Sequence, residues 1–132
     1  MVRSLKRVAA FRSLALIIAF VGIGSCNLVT SDPTRAWTLI MYSGDSQAAP
    51  PNSPLKLPLV VLAINQHSQP VTNISVQWTI VSGGGSLSAD RSLSDHDGLA
   101  SITYTAGPTQ GTVFIQAWVK WTAPITFMEV IQ

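Results

Sequence analysis

The chain has 132 residues, 47% hydrophobic and 11% charged, with one cysteine and a formal net charge of +2. One cysteine excludes an internal disulfide, and the length holds one ordinary domain rather than two. The positive balance belongs to one end: Arg3, Lys6, Arg7 and Arg12 lie in the first twelve residues, whereas Arg35, Lys56, Arg91 and Lys120 are set against Asp32, Asp45, Asp90, Asp95, Asp97 and Glu129. Four cations against six acids leave the part beyond residue 25 at −2, with no basic patch that would take nucleic acid.

The first segment reads as an export signal. Residues 1–12 carry basic residues and no acid, and Ser13 to Ile23 (SLALIIAFVGI) is an apolar run of signal-peptide length, too short to span a bilayer comfortably. The basic residues stay cytoplasmic while the apolar run enters the membrane. Ile23-Gly24-Ser25-Cys26 follows: an aliphatic residue and two small ones before the sole cysteine. This tetrad resembles the lipobox of bacterial lipoproteins, with Ile where Leu is commoner. The resemblance implies cleavage before Cys26 and acylation of the new N-terminus, and two acyl chains suffice for a stable anchor. Asn27 stands where Asp marks inner-membrane retention in enteric bacteria, so the outer membrane is the implied destination. The alternatives are an uncleaved anchor, an ordinary signal peptide, or a structural or chemical role for the Cys26 thiol. The expected organisation is a signal peptide over 1–25, a polar tether over 26–35 (CNLVTSDPTR) and one domain over 36–132.

Beyond the tether, helix signals are nearly absent. Thr, Val, Ile and aromatic residues cluster in short runs separated by Gly, Pro, Asn, Asp and Ser, the pattern of a β-sandwich. The first run is Trp37 to Tyr42 (WTLIMY). Pro50, Pro51, Pro54 and Pro58 then mark an edge crossing or loop, because proline cannot donate to a ladder. Leu59 to Asn65 (LVVLAIN) is apolar on both faces, as expected of a strand covered on both sides or meeting a partner on its outer face. Gln66 to Pro70 is a turn. Ser75 to Val81 (SVQWTIV) alternates, which places Val76, Trp78 and Ile80 inward. Gly83-Gly84-Gly85 breaks this strand, and Ser86 to Ser88 and Ser92 to Ser94 read as short edge pieces. Asp95-His96-Asp97-Gly98 is a turn. Leu99 to Thr105 puts Ala100, Ile102 and Tyr104 on one face, Thr112 to Trp121 is a long strand, and Ile125 to Ile131 is the last.

Several of these pieces occur together, in order, at the spacing of one family. They are Ser43-Gly44-Asp45-x-Gln47, Leu57-Pro58-Leu59-x-Val61, Pro70-Val71, Ser82-Gly83-Gly84-Gly85-Ser86-Leu87, Asp95-x-x-Gly98-x-Ala100, Gly111 and Phe127. The stretch from about 36 to 131 resembles the group 1 bacterial immunoglobulin-like domain, the repeat of intimin- and invasin-type adhesins. The resemblance implies an all-β, immunoglobulin-like sandwich of about seven strands. In that family the domain stands in tandem arrays as a rigid stalk. This chain carries one copy and no lectin-like tip, so adhesion does not carry over directly. Asn65 and Ser68 replace the family's Asp and Gly, which opens that turn to a different construction.

Few residues invite a chemical role. Asp95, His96 and Asp97 fall short of the six or more oxygens of a calcium cage; a zinc site wants three or four ligands, and the only other histidine, His67, lies in another turn. No metal or cofactor is therefore expected. No G-x-S-x-G elbow is present, and no lysine or helix follows the glycine run to make a phosphate loop, so no catalytic residue is assigned. Trp118 and Trp121 have opposite phase on the long strand, so one of them should face out, where it could stack on a sugar or anchor a protein. The expected partners are the membrane, through lipid on Cys26, and another envelope protein or a glycan.

Overall fold

The computed structural model describes residues 34–132; the signal segment and Cys26 lie outside the described residues. The regular structure there is all strand: β1 (Thr38–Ser43), β2 (Ala48–Ala49), β3 (Leu59–Ile64), β4 (Ser75–Ser82), β5 (Ser86–Leu87), β6 (Arg91–Leu93), β7 (Leu99–Ile102), β8 (Tyr104–Thr105), β9 (Gly111–Trp118) and β10 (Ile125–Ile131). Grouping the split pieces β1 with β2, β5 with β6 and β7 with β8 leaves the seven strands of the expected sandwich. One sheet has the order β1-β3-β7 and the other β2-β10-β9-β4-β6, with β5 and β8 forming a two-stranded piece.

Alternation builds the core. Leu59, Val61 and Ala63 face inward from one sheet, and Val113, Ile115 and Ala117 from the other; all lie in a single buried cluster with Trp78 and Phe127. The Trp78 and Phe127 rings meet at 5.9 Å between centroids, and the indole N–H donates to Ser92 Oγ at 2.9 Å. The buried tryptophan thus keeps its one polar group paired.

The first strand changes sheets. β1 pairs antiparallel with β3, and β2 pairs in parallel with β10. The crossing from Gly44 to Gln47 is tied to β10. Asp45 Oδ1 accepts from the Met128 N–H at 2.9 Å, the Ser46 N–H donates to Met128 O, and the Val130 N–H donates to Gln47 O. The Gln47 amide donates to Gly44 O and Leu57 O and accepts from the Leu57 N–H at 2.9 Å. Gly44 sits at φ +101°, and a Cβ there would press on the Pro58 carbonyl.

Two expected strands break. The run predicted over Leu99 to Thr105 divides at Thr103, because Ile102 pairs with Leu59 whereas Tyr104 pairs with Leu87 of another piece. The strand predicted over Thr112 to Trp121 stops at Trp118. Beyond it Val119 to Thr122 closes a turn, with the Thr122 N–H on Val119 O at 3.0 Å and Trp121 at φ +76°.

The turn opened to doubt by Asn65 and Ser68 is built like the one at Asp95. Asp95 Oδ1 accepts the N–H groups of Asp97 and Leu99, and its carbonyl accepts that of Gly98. Asn65 Oδ1 accepts those of His67 and Gln69, and its carbonyl accepts that of Ser68. Ser68 and Gly98 occupy the same place in each, at φ +62° and +78°. Asparagine offers the same side-chain oxygen as aspartate, so the loss of charge leaves the turn intact.

Replacing Trp78 by Ala is expected to cost about 3–5 kcal/mol through the cavity it leaves, read as a lower urea midpoint with unchanged slope; an unchanged midpoint would take Trp78 out of the core. Ser68→Gly should raise stability by up to about 1 kcal/mol, because glycine removes the left-handed backbone cost of serine. Gly98→Val should lower it, since its Cβ would meet Ala63 O at 2.8 Å on a backbone that β-branched residues avoid. Equal melting temperatures for the three chains would contradict this account of the paired turns.

Candidate functional site

Both tryptophans singled out in the sequence are exposed, Trp118 at 37% and Trp121 at 71%. Opposite strand phase would expose only one of them; both face out because the strand ends at Trp118 and Trp121 lies in a turn. Trp118 ends β9 on the outer face of the five-stranded sheet, opposite Gln77. Trp121 stands at the tip of the β9–β10 hairpin. The turn presents two cations to its ring: Lys120 Nζ lies 4.9 Å and Arg35 Cζ 5.7 Å from the centroid. Arg35 comes from the chain just before β1, so the hairpin tip adjoins the place where the chain enters the domain. Sequence reading had assigned Arg35 to the tether and missed this contact, which joins residues far apart in the chain.

Asp95, His96 and Asp97 are all exposed, with one ligand atom from each within 4.8 Å of the others. Asp95 already spends one oxygen on two backbone N–H groups. The Leu99 N–H, with help from that of Asp97 and from His96, holds its carboxyl below the ordinary value, against slight burial. Asp97 Oδ2 lies 3.5 Å from His96 Nε2. The Asp95 carboxylate therefore does the work of a turn.

The structure adds a residue the sequence reading passed over. Glu129 lies on β10 in phase with Phe127 and Ile131 and is fully buried. Its Oε2 accepts the Gln47 N–H at 2.7 Å, and its Oε1 has no hydrogen-bond partner. Burial pushes its pKa up to about 7; the Gln47 hydrogen bond opposes this and the nearby Asp45 charge adds to it. Burial also raises the Tyr104 phenol, whose O–H donates to Gly84 O at 2.5 Å. An inward acid at the end of IleThrPheMetGlu was detectable from strand alternation alone. Two shallow depressions, one lined by Trp78, Ile80, Leu87 and Asp90 and one by Thr34, Pro70, Val71 and Ile74, include neither Glu129 nor a histidine. Glu129 is fully buried in the phase of the core residues Phe127 and Ile131, and its perturbed titration belongs to the fold.

No protein-family model and no curated protein matches the chain. Solved structures do. The D00-D0 domain of Intimin is 19% identical at a TM-score of 0.57, covering 80% of this chain and 51% of that one. A C-terminal fragment of intimin, in complex with the intimin-binding domain of the translocated intimin receptor, is 23% identical at 0.56, covering 66% and 30%. FdeC, an Escherichia coli adhesin, is 13% identical at 0.52, covering 77% and 30%. The chain spans about half the length, or less, of the structures it matches. The sandwich therefore has the immunoglobulin-like fold of the intimin domains.

Because Glu129 binds its proton more tightly folded than unfolded, stability is greatest below pH 4.5 for this group and falls as pH rises to about 7. The loss is on the order of 3 kcal/mol. Urea unfolding at pH 5 and pH 8 should show it, and Glu129→Gln, which keeps an acceptor for the Gln47 N–H, should flatten the difference. A slope unchanged in the variant would assign it to other groups.

Proposed function

We propose that the chain is exported, acylated on Cys26 and held at the cell envelope, on the outer membrane, where residues 36–132 serve a structural or protein–protein contact role of adhesion type and carry no enzymatic activity. The observation that carries this reading is the likeness of nearly the whole described sandwich to intimin and adhesin domains. One of those intimin fragments is in complex with a receptor domain, which supports protein binding by such folds. The anchoring half rests on Ile23-Gly24-Ser25-Cys26 behind the apolar run.

The exposure of Trp118 and Trp121 favours a second reading, a carbohydrate-binding module in which either indole stacks on a sugar ring. A glycan array separates the two: reproducible binding lost in Trp118→Ala or Trp121→Ala would favour the module, and its absence the protein-contact reading.

Cys26→Ser is expected to abolish incorporation of labelled palmitate and to leave an uncleaved or mislocalised chain. Equal labelling of the serine variant would remove the anchor from this account.

A further inference from the structure

We infer that the corner of the domain formed by Trp121, Lys120 and Arg35 rests on an anionic phospholipid surface. The inference rests on the acylation of Cys26 proposed above. It begins from an oddity in the hairpin. The turn Val119–Thr122 holds its third residue at φ +76°, a position where glycine is ordinarily favoured and a bulky side chain is strained. The residue there is a tryptophan, and its ring is 71% exposed. Core packing does not account for it.

The surroundings of the ring point to a headgroup layer. Lys120 and Arg35 approach it within 4.9 and 5.7 Å, and among the described residues neither cation makes an ion pair. An amphipathic indole between two unpaired cations is the side-chain set that settles at a membrane–water interface, the ring at headgroup level and the charges on phosphate. Trp37, 61% exposed, lies next to the same chain entry, its backbone N–H donating to Ile64 O.

Chain length supplies the occupant. Thr34, where the described body begins, is eight residues after Cys26. Even fully extended, that stretch spans at most about 29 Å. An acylated Cys26 would therefore hold this end of the domain within reach of the bilayer, and the hairpin touching Arg35 is part of this end.

The test uses the chain purified from bacterial membranes and reconstituted in phosphatidylcholine vesicles with and without one third phosphatidylglycerol. Mass spectrometry of the Cys26 peptide reports acylation by itself, so a missing acyl mass defeats the anchoring reading without touching the quenching result. Lipids brominated near the headgroup then quench any tryptophan at the surface. Quenching is expected with phosphatidylglycerol, at least halved in Trp121→Ala, and likewise reduced in Arg35→Glu/Lys120→Glu, which retains the indole. Each basic residue near such a surface strengthens contact about fivefold, so added salt, which screens that attraction, should reduce the quenching. Quenching that is absent, unaffected by Trp121→Ala, or equal in pure phosphatidylcholine would overturn the inference. Glycan binding lost in Trp121→Ala without lipid quenching would assign the corner to sugar instead. Unchanged thermal unfolding of both variants confirms that the surface, and not the fold, was altered.

Discussion

The passage of the first strand from one sheet to the other is the constraint on which the rest of the sandwich depends. A strand that leaves its sheet abandons its ladder partners, and each buried N–H or carbonyl it strands must find another. Gly44 to Gln47 meet that demand with side chains. Asp45 caps Met128, Gln47 spans Gly44 and Leu57, and Gly44 takes a backbone angle that lets the chain pass against Pro58. Single hydrogen bonds of this kind are worth about 0.5–1.5 kcal/mol net, those to charged groups more. Their joint effect is geometric. They fix the end of the first strand, the segment leading into β3, and the final strand against one another, which closes the sandwich along one side. The separated motif pieces around residues 43–47 and 57–61 are thus two halves of one clamp.

The clamp explains the one acid in the core. At the crossing, Met128 O is already taken by the Ser46 N–H, so the Gln47 N–H needs another acceptor, and the Glu129 carboxylate supplies it. A single N–H does not offset the desolvation of a whole carboxylate, and Oε1 is left without a partner. The proton therefore stays on to about neutral pH. Removing Glu129 outright would leave the Gln47 N–H unsatisfied at the point where two sheets are joined. The fold tolerates the acid because it gives this donor an acceptor and lowers its own desolvation cost by keeping its proton.

Much of this was legible beforehand. Alternation on β4 placed Trp78 in the core, and the Asp-x-x-Gly pattern gave the β6–β7 turn, because both are local rules with a short period. The failures share a cause. β7 and β8 read as one strand because Thr103 looks like any strand residue; only the change of partner from Leu59 to Leu87 separates them. Trp121 was read in strand phase because a turn that puts tryptophan at positive φ has no propensity signal. Arg35 was placed in the tether because its contact crosses the length of the domain. Asn65 and Ser68 were misjudged in the opposite sense: their departure from the family pattern changed residue types but not the hydrogen-bonding atoms.

The two-sided apolarity of β3 finds its explanation in register rather than in a covering layer. Leu62 stands between Ile40 and Leu99 in neighbouring strands, and the outward side chains Val60, Leu62 and Ile64 are each half-buried. β-branched and aliphatic neighbours on one sheet face shield one another through cross-strand contact, so such a face can remain open to water at modest cost. A hairpin tip has no strands on either side and cannot use that device. Trp121 has Lys120 and Arg35 against its ring and stays 71% exposed, and their charges attract anions. Of the exposed apolar groups on this domain, those on the sheet face are largely served by their own neighbours. At the chain-entry corner Trp121 stays exposed, and the lipid surface proposed above would cover it.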